Sequence, residues 1–357
     1  MMTMKLWMVV MVMVVGVGAF EGNRDYNVKE YEALCAVLKA AVSAFQSNRG
    51  SEGLKQALHR TIFGNKTGGN LQTLRSTFPT DYEGHEIHDT PRSLWCGDPP
   101  EGGYNEESQV RTSGHSAPHG LLCLCTTGKG GWPLSRDPGT TLCGKDKSAL
   151  GGASEGWVRL TDWSDDVKGK EQREATWDNV TRPCLHEDGR KGENLNDAFK
   201  KFKVALVRKL DDDSENKYTE TMGPKFANMY INRYQLGNGN PSKERACDGT
   251  PELGICLLYY DNMYPLPWWK DLEDALNEEE REKRRQEEIR KQESQSKQQP
   301  HSSELPHAEP LKSSLTTTHD TKQKNQESDT AQFSIINMKS GTSITTPLRL
   351  LSAAFLI

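Results

Sequence analysis

"NVKEYEALCAVLKAAVSAFQ", residues 27–46, sets Val28, Tyr31, Cys35, Leu38, Val42 and Phe45 at alternating spacings of three and four. That is a sustained a/d seam, the pattern of a helix packing along another helix. Asn27 is placed to cap it, with Glu30 returning to the Asn27 backbone in a capping box. "SNRGSEG" ends this helix, and "LKQALHRTIFG" predicts a second one closed by Gly64. A matching seam comes late. "ENLNDAFKKFKVALVRKL" puts Leu195, Phe199, Phe202, Leu206 and Leu210 on one face and lysines on the other. Alternation at period two is absent, so helix is expected over strand. "PKFANMYINRYQLG" predicts a third amphipathic helix from Pro224 to a stop near Gly237. The two seams are expected to pack on each other, with Cys35 stapling the first helix to a neighbouring segment.

Between the seams, Gly84 to Pro183 has another character. "CGDPPEGGYNEES", "TTGKGGWPLSRDPGTTLCG" and "KSALGGASEGW" are rich in glycine and proline and exclude long regular helix. Loops bury little apolar surface, so such a lobe needs covalent bridges. The chain has 8 cysteines: Cys35, Cys96, Cys123, Cys125, Cys143, Cys184, Cys247 and Cys256. An even count behind a secretory leader reads as a disulfide framework. The pairing stays open, except that Cys123 and Cys125 are too close to bridge each other comfortably.

The leader is "MMTMKLWMVVMVMVVGVGAF": Lys5, an apolar run from Leu6 to Val15, then small residues. Cleavage is expected after Ala19. The far end, "SGTSITTPLRLLSAAFLI", matches a glycosylphosphatidylinositol (GPI) signal of small triad, short spacer and greasy tail too short to span a bilayer. Ser340 is the expected attachment residue, with Asn337 second. Asn65 in "NKT" and Asn179 in "NVT" are candidate N-glycan acceptors. In "PLPWWKDLEDAL", Pro267 can start a helix whose buried side is Trp268, Leu272 and Leu276. The charged run after it can form a solvated helix with pairs such as Glu280 and Arg284. From Ser294 to about Lys339 the composition is that of a disordered stalk. The domain reading is 1–19 leader, 20–276 helical and disulfide-bridged domain, 277–340 charged low-complexity stalk, and 341–357 removed anchor signal.

Net charge is −5, from 45 basic and 50 acidic residues, which argues against a nucleic-acid partner. "TTGKGG" lacks the spacing and the Ser or Thr of a phosphate loop. His85 and His88 in "HEIH", with His115, His119, Cys123 and Cys125, lack the helical zinc spacing and read as surface histidines and disulfide cysteines. Trp157, Trp163 and Trp177 read as core packing. No catalytic, cofactor or metal residue is assigned from these motifs.

"YEALCAVL", "CLCTTGKGG" in a cysteine-rich middle, "ACDG…GICLLYY" and "PWWKDLEDAL", together with the leader, stalk and anchor signal, resemble the trypanosome variant surface glycoproteins. The resemblance covers the whole chain. It implies a mainly α fold: an elongated helical bundle or coiled-coil hairpin with a disulfide-stapled, loop-rich head lobe and a disordered hydrophilic stalk. It also implies a homodimer held on the outer leaflet of the plasma membrane by a GPI lipid. Such a dimer packs as a coat whose exposed loops meet host antibodies and which is exchanged to evade them. Two features depart from the family pattern. The stalk has no cysteines, and the Val28–Gln46 seam spans only about 28 Å. A lipid-anchored nutrient receptor on the same scaffold is the alternative reading; a secreted enzyme is the third.

Overall fold

A computed structural model describes residues 24–82, 92–99, 111–152, 154–159, 167–186, 194–209, 233–240 and 246–296. The leader, His85, His88, Trp163, the stalk beyond residue 296, and Ser340 with the tail lie outside the described residues.

Helix α1 (Val28–Ser47) forms where the seam predicts it. Its burial is wider than a seam: Leu34, Val37, Leu38, Ala41 and Val42 are all shut off from solvent. A helix buried on several sides is the centre of a core, and α1 packs against α2 (Glu52–Phe63), α5 (Ala117–Cys125) and α8 (Leu195–Ala205). The expected capping box is absent. Asn27 adopts a left-handed conformation (φ 59°), and its side chain makes no cap bond. Its amide instead donates to the carbonyls of Leu124 (2.9 Å) and Ile255 (2.8 Å), while its oxygen accepts from the Asn238 amide (2.8 Å). One buried side chain thus ties the start of α1 to three distant segments, because buried backbone groups outside regular ladders need partners. Helix α2 is closed by Gly64, as its sequence predicts, and Ser51 caps its start.

Seams α1 and α8 do pack together. Helix α8, however, ends at Ala205, and β5 (Val207–Lys209) follows. The third predicted helix is also corrected. Its C-terminal part is strand β6 (Arg233–Gly239); residues 224–232 lie outside the described residues. Strand β6 sits between β5 and β7 (Gly254–Tyr260) in an antiparallel sheet, with Arg233 opposite Tyr260 and Gly239 opposite Gly254. All seven residues of β7, "GICLLYY", are buried. A short apolar run rich in aromatic and branched residues is the signature of a fully buried strand, and β6 is held to it along its length.

Helix α3 (Leu71–Ser76) precedes the middle lobe, which holds the short helix α4 (Arg92–Cys96) and the wholly buried α5. Farther on, α6 (Lys170–Thr176) passes through a π turn (Trp177–Thr181) into α7 (Arg182–Cys184). Small two-stranded pairings complete it: β1 (Asp25–Tyr26) with β2 (Thr141–Leu142), and β3 (Val158–Arg159) with β4 (Val167–Lys168). All eight cysteines are bridged: Cys35–Cys184, Cys96–Cys123, Cys125–Cys143 and Cys247–Cys256. Cys35–Cys184 closes the longest loop, at a sequence separation of 149. In a chain-entropy treatment that loop alone is worth about 5 kcal/mol.

Helix α9 (Trp268–Ser296) starts directly after Pro267. Trp268, Leu272 and Leu276 face the core as predicted, joined by Trp269, and α9 packs along α2. The helix does not stop where the composition changes after Leu276. Glu279 accepts from the Ser51 amide at 2.6 Å, and Glu280 pairs with Arg284 at 2.9 Å. No helix among the described residues is long and apolar enough to cross a membrane.

Candidate functional site

Of the histidines expected at the surface, His115 is half-buried and His119 is inside. His119 is fully buried on α5. Its Nε2 donates to the Trp95 carbonyl (3.0 Å), which leaves Nδ1 to accept from the Tyr82 hydroxyl (2.7 Å). His115, one turn earlier, accepts at Nδ1 from Arg111 (3.0 Å). Arg111 lies over the Tyr82 ring, 4.6 Å from its centroid, and pairs with Asp81. Burial, reinforced by the Arg111 charge, pushes His119 down to about 3 and His115 to about 2. Both stay neutral, and burial pushes the Tyr82 hydroxyl upward. This is a satisfied polar network inside a core rather than a catalytic array. Cys123 Sγ lies 3.6 Å from His119 Nε2, but that sulfur is bridged to Cys96. Among the described residues no group of three or more His, Cys, Asp or Glu is placed to hold a metal.

Gly128 of "TTGKGG" serves packing. A Cβ on Gly128 would lie 1.8 Å from the Gly249 carbonyl oxygen, and one on Gly156 would lie 2.1 Å from the Gly128 oxygen. Lys129 N donates to Gly249 O (2.9 Å) and Trp157 N to Thr127 O (2.8 Å). Three backbone segments cross here with no room for a side chain. Trp157 and Trp177 are buried beside them, as core residues.

One concave feature was not legible in the sequence. A cleft of about 390 Å³ opens between the end of α2 and the turn before α9. Gly64 and His115 line it, and Arg60 pairs with Asp271 beside it, joined by Lys66 at 3.4 Å. Three segments far apart in sequence build it, so no local motif announces it. Gly64 is confined twice over: φ is 83°, and an added Cβ would fall 1.8 Å from the His115 ring. Gly64→Ala should cost roughly 2 kcal/mol or more, read as a lower urea midpoint. An unchanged midpoint would show that α2 relaxes away from His115.

Both candidate glycan acceptors are exposed. Asn65 follows Gly64 at the lip of the cleft. Its Oδ1 accepts from Thr67 N (3.0 Å), Thr67 Oγ1 (2.8 Å) and Gly68 N (2.8 Å). Asn179 lies in the π turn, where its Nδ2 donates to the Ala149 carbonyl (2.8 Å).

The described head is largely helical, is stapled by four disulfides and carries both acceptor asparagines at its surface. A family model described as the trypanosomal VSG domain matches residues 39–298, and the chain belongs to that family. No curated protein and no solved structure matches it.

Proposed function

We propose that this chain is a GPI-anchored coat glycoprotein that shields the parasite surface and takes part in antigenic variation, with no catalytic role. The observation that carries the reading is the family match over residues 39–298. The anchor is assigned to Ser340, after removal of residues 341–357, and the leader to residues 1–19. Glycans are assigned to Asn65 and Asn179. Host antibodies bind the exposed loops. A single lipid holds a protein to the outer leaflet without a span, and a polar stalk lifts the head above it.

The head is proposed to pair as an elongated homodimer. The apolar face of α8 is occupied within the chain: Phe202 is fully buried and Phe199 nearly so. Val204 and Val207 are the large apolar side chains left exposed beside it. A nutrient receptor on this scaffold would need a concave site for its cargo. The cleft of about 390 Å³ is at the small end of small-molecule pockets and has no room for a carrier protein.

The anchor is tested on intact cells. A phosphatidylinositol-specific phospholipase should release the protein, and its C-terminal peptide should end at Ser340. Recovery of Leu348–Ile357 in the mature protein would falsify the anchor assignment. Copy number separates coat from receptor: a coat protein dominates the surface proteome.

A further inference from the structure

The cleft and the Asn65 acceptor belong to one surface. Asn65 forms one lip, and Tyr264 stands near it, 76% exposed. The same cleft is lined by Lys66 and the Arg60–Asp271 ion pair, which supply hydrogen-bond donors and acceptors. A flat aromatic face next to fixed polar groups matches a ligand with one apolar C–H face and hydroxyls around its edge, which describes a pyranose ring. The three bonds to Asn65 Oδ1 fix the side-chain amide in place at the lip, so that a sugar on Nδ2 starts from a defined position. The floor is closed to anything larger, because Gly64 and the His115 ring are already in contact distance of each other.

We infer that the glycan on Asn65 folds back over this cleft, its first N-acetylglucosamine resting on the Tyr264 ring and its polar edge turned to Lys66 and the Arg60–Asp271 pair. The inference rests on the proposed use of Asn65. Covalent attachment holds the sugar at high effective concentration, so contacts too weak to capture a free sugar suffice. The glycan is then part of the head's surface. It covers an aromatic side chain and closes the cleft to solutes and to antibody loops.

The test uses the full chain made in a secreting eukaryotic cell. Mass analysis of the Asn65 peptide before and after amidase removal of N-glycans first establishes occupancy. Hydroxyl-radical oxidation then reports the exposure of Tyr264 in wild type, in Asn65→Gln and in Thr67→Ala, which keeps the asparagine but loses the sequon. Tyr264 oxidation should rise at least about threefold in both variants, with buried Tyr259 unchanged. Enzymatic deglycosylation of the folded wild type gives the same comparison without relying on either variant to fold. In Tyr264→Ala, glycan release from the native protein should speed up several-fold. Equal Tyr264 oxidation with and without a demonstrated glycan overturns the stacking and leaves the glycan assignment standing. An unmodified Asn65 peptide overturns both.

Discussion

Replacing Trp157 with leucine should lower the unfolding free energy by about 4–5 kcal/mol. Trp157 is buried, and two guanidiniums lie over its indole. Arg92 Cζ lies 5.5 Å and Arg173 Cζ 5.4 Å from the ring centroid, and Trp95 meets it edge-on at 5.9 Å. Arg92 gives its Nη groups to the carbonyls of Cys123 and Thr126, at the C-terminal end of α5, where a cation also suits the helix dipole. Arg173 donates to the Tyr82 and Lys168 carbonyls, both at 3.1 Å. Burial already pushes Arg92 down to about 9, with Asp248 opposing and Arg173 adding to the effect. Leucine would leave a cavity and take the aromatic face from two desolvated guanidiniums at once. Trp157→Phe keeps a π face and should cost about half as much. Urea unfolding with disulfides intact measures both. If the leucine variant costs no more than the phenylalanine variant, the cations are stabilised by their carbonyls alone.

Acid should weaken the head well before its carboxylates titrate. The pair His115 and His119 is held neutral in the folded state, at about 2 and about 3, against about 6.5 in an unfolded chain. Below 6.5 the unfolded state takes up protons that the folded state refuses. Stability is therefore complete above that value and falls as pH drops towards 3. Each histidine contributes a slope near 1.4 kcal/mol per pH unit, so the loss from pH 7 to pH 5 is about 4 kcal/mol for the two. Glu273 and Glu279, both held below the usual carboxylate range, add to the decline only at lower pH. Denaturant midpoints at pH 5 and pH 7 measure the effect. His119→Gln can still accept from Tyr82 and donate to Trp95, and should remove about half of the dependence. A wild-type difference below about 1 kcal/mol would mean that the cluster opens to water.

The helices that lie against one another were legible because a repeating apolar stripe needs only local sequence. Val28–Phe45, Leu54–Gly64 and Trp268–Leu276 marked their helices, Gly64 marked the end of the second, and Trp268, Leu272 and Leu276 marked the buried side of the last. The sheet was not, because β6 takes its conformation from β7. Arg233, Tyr234 and Gln235 carry no strand pattern of their own and become strand by pairing with Tyr260, Tyr259 and Leu258. Asn27 misled for the same reason: a capping box is local, and the partners that won are Leu124, Asn238 and Ile255. His115 and His119 read as surface residues by type, and only the three-dimensional placement of Tyr82, Trp95 and Arg111 around them accounts for their burial.

The four bridges also determine how the molecule carries tension. Three lie between Cys35 and Cys184, and the fourth closes a small loop from Cys247 to Cys256. No bridge crosses from one set to the other. The stretch from Leu185 to Ala246 is the sole covalent route between the bridged bulk of the head and everything that follows. For a chain tethered through its C-terminal side, as proposed, a single peptide-bond cut along that route changes the kind of attachment. The bulk of the head is then retained by non-covalent contacts, among them α5 against β7, α2 against α9 and the Asn27 bonds to Ile255 and Asn238. Residence on the surface becomes an off-rate, set by side-chain packing, and the lipid no longer decides it.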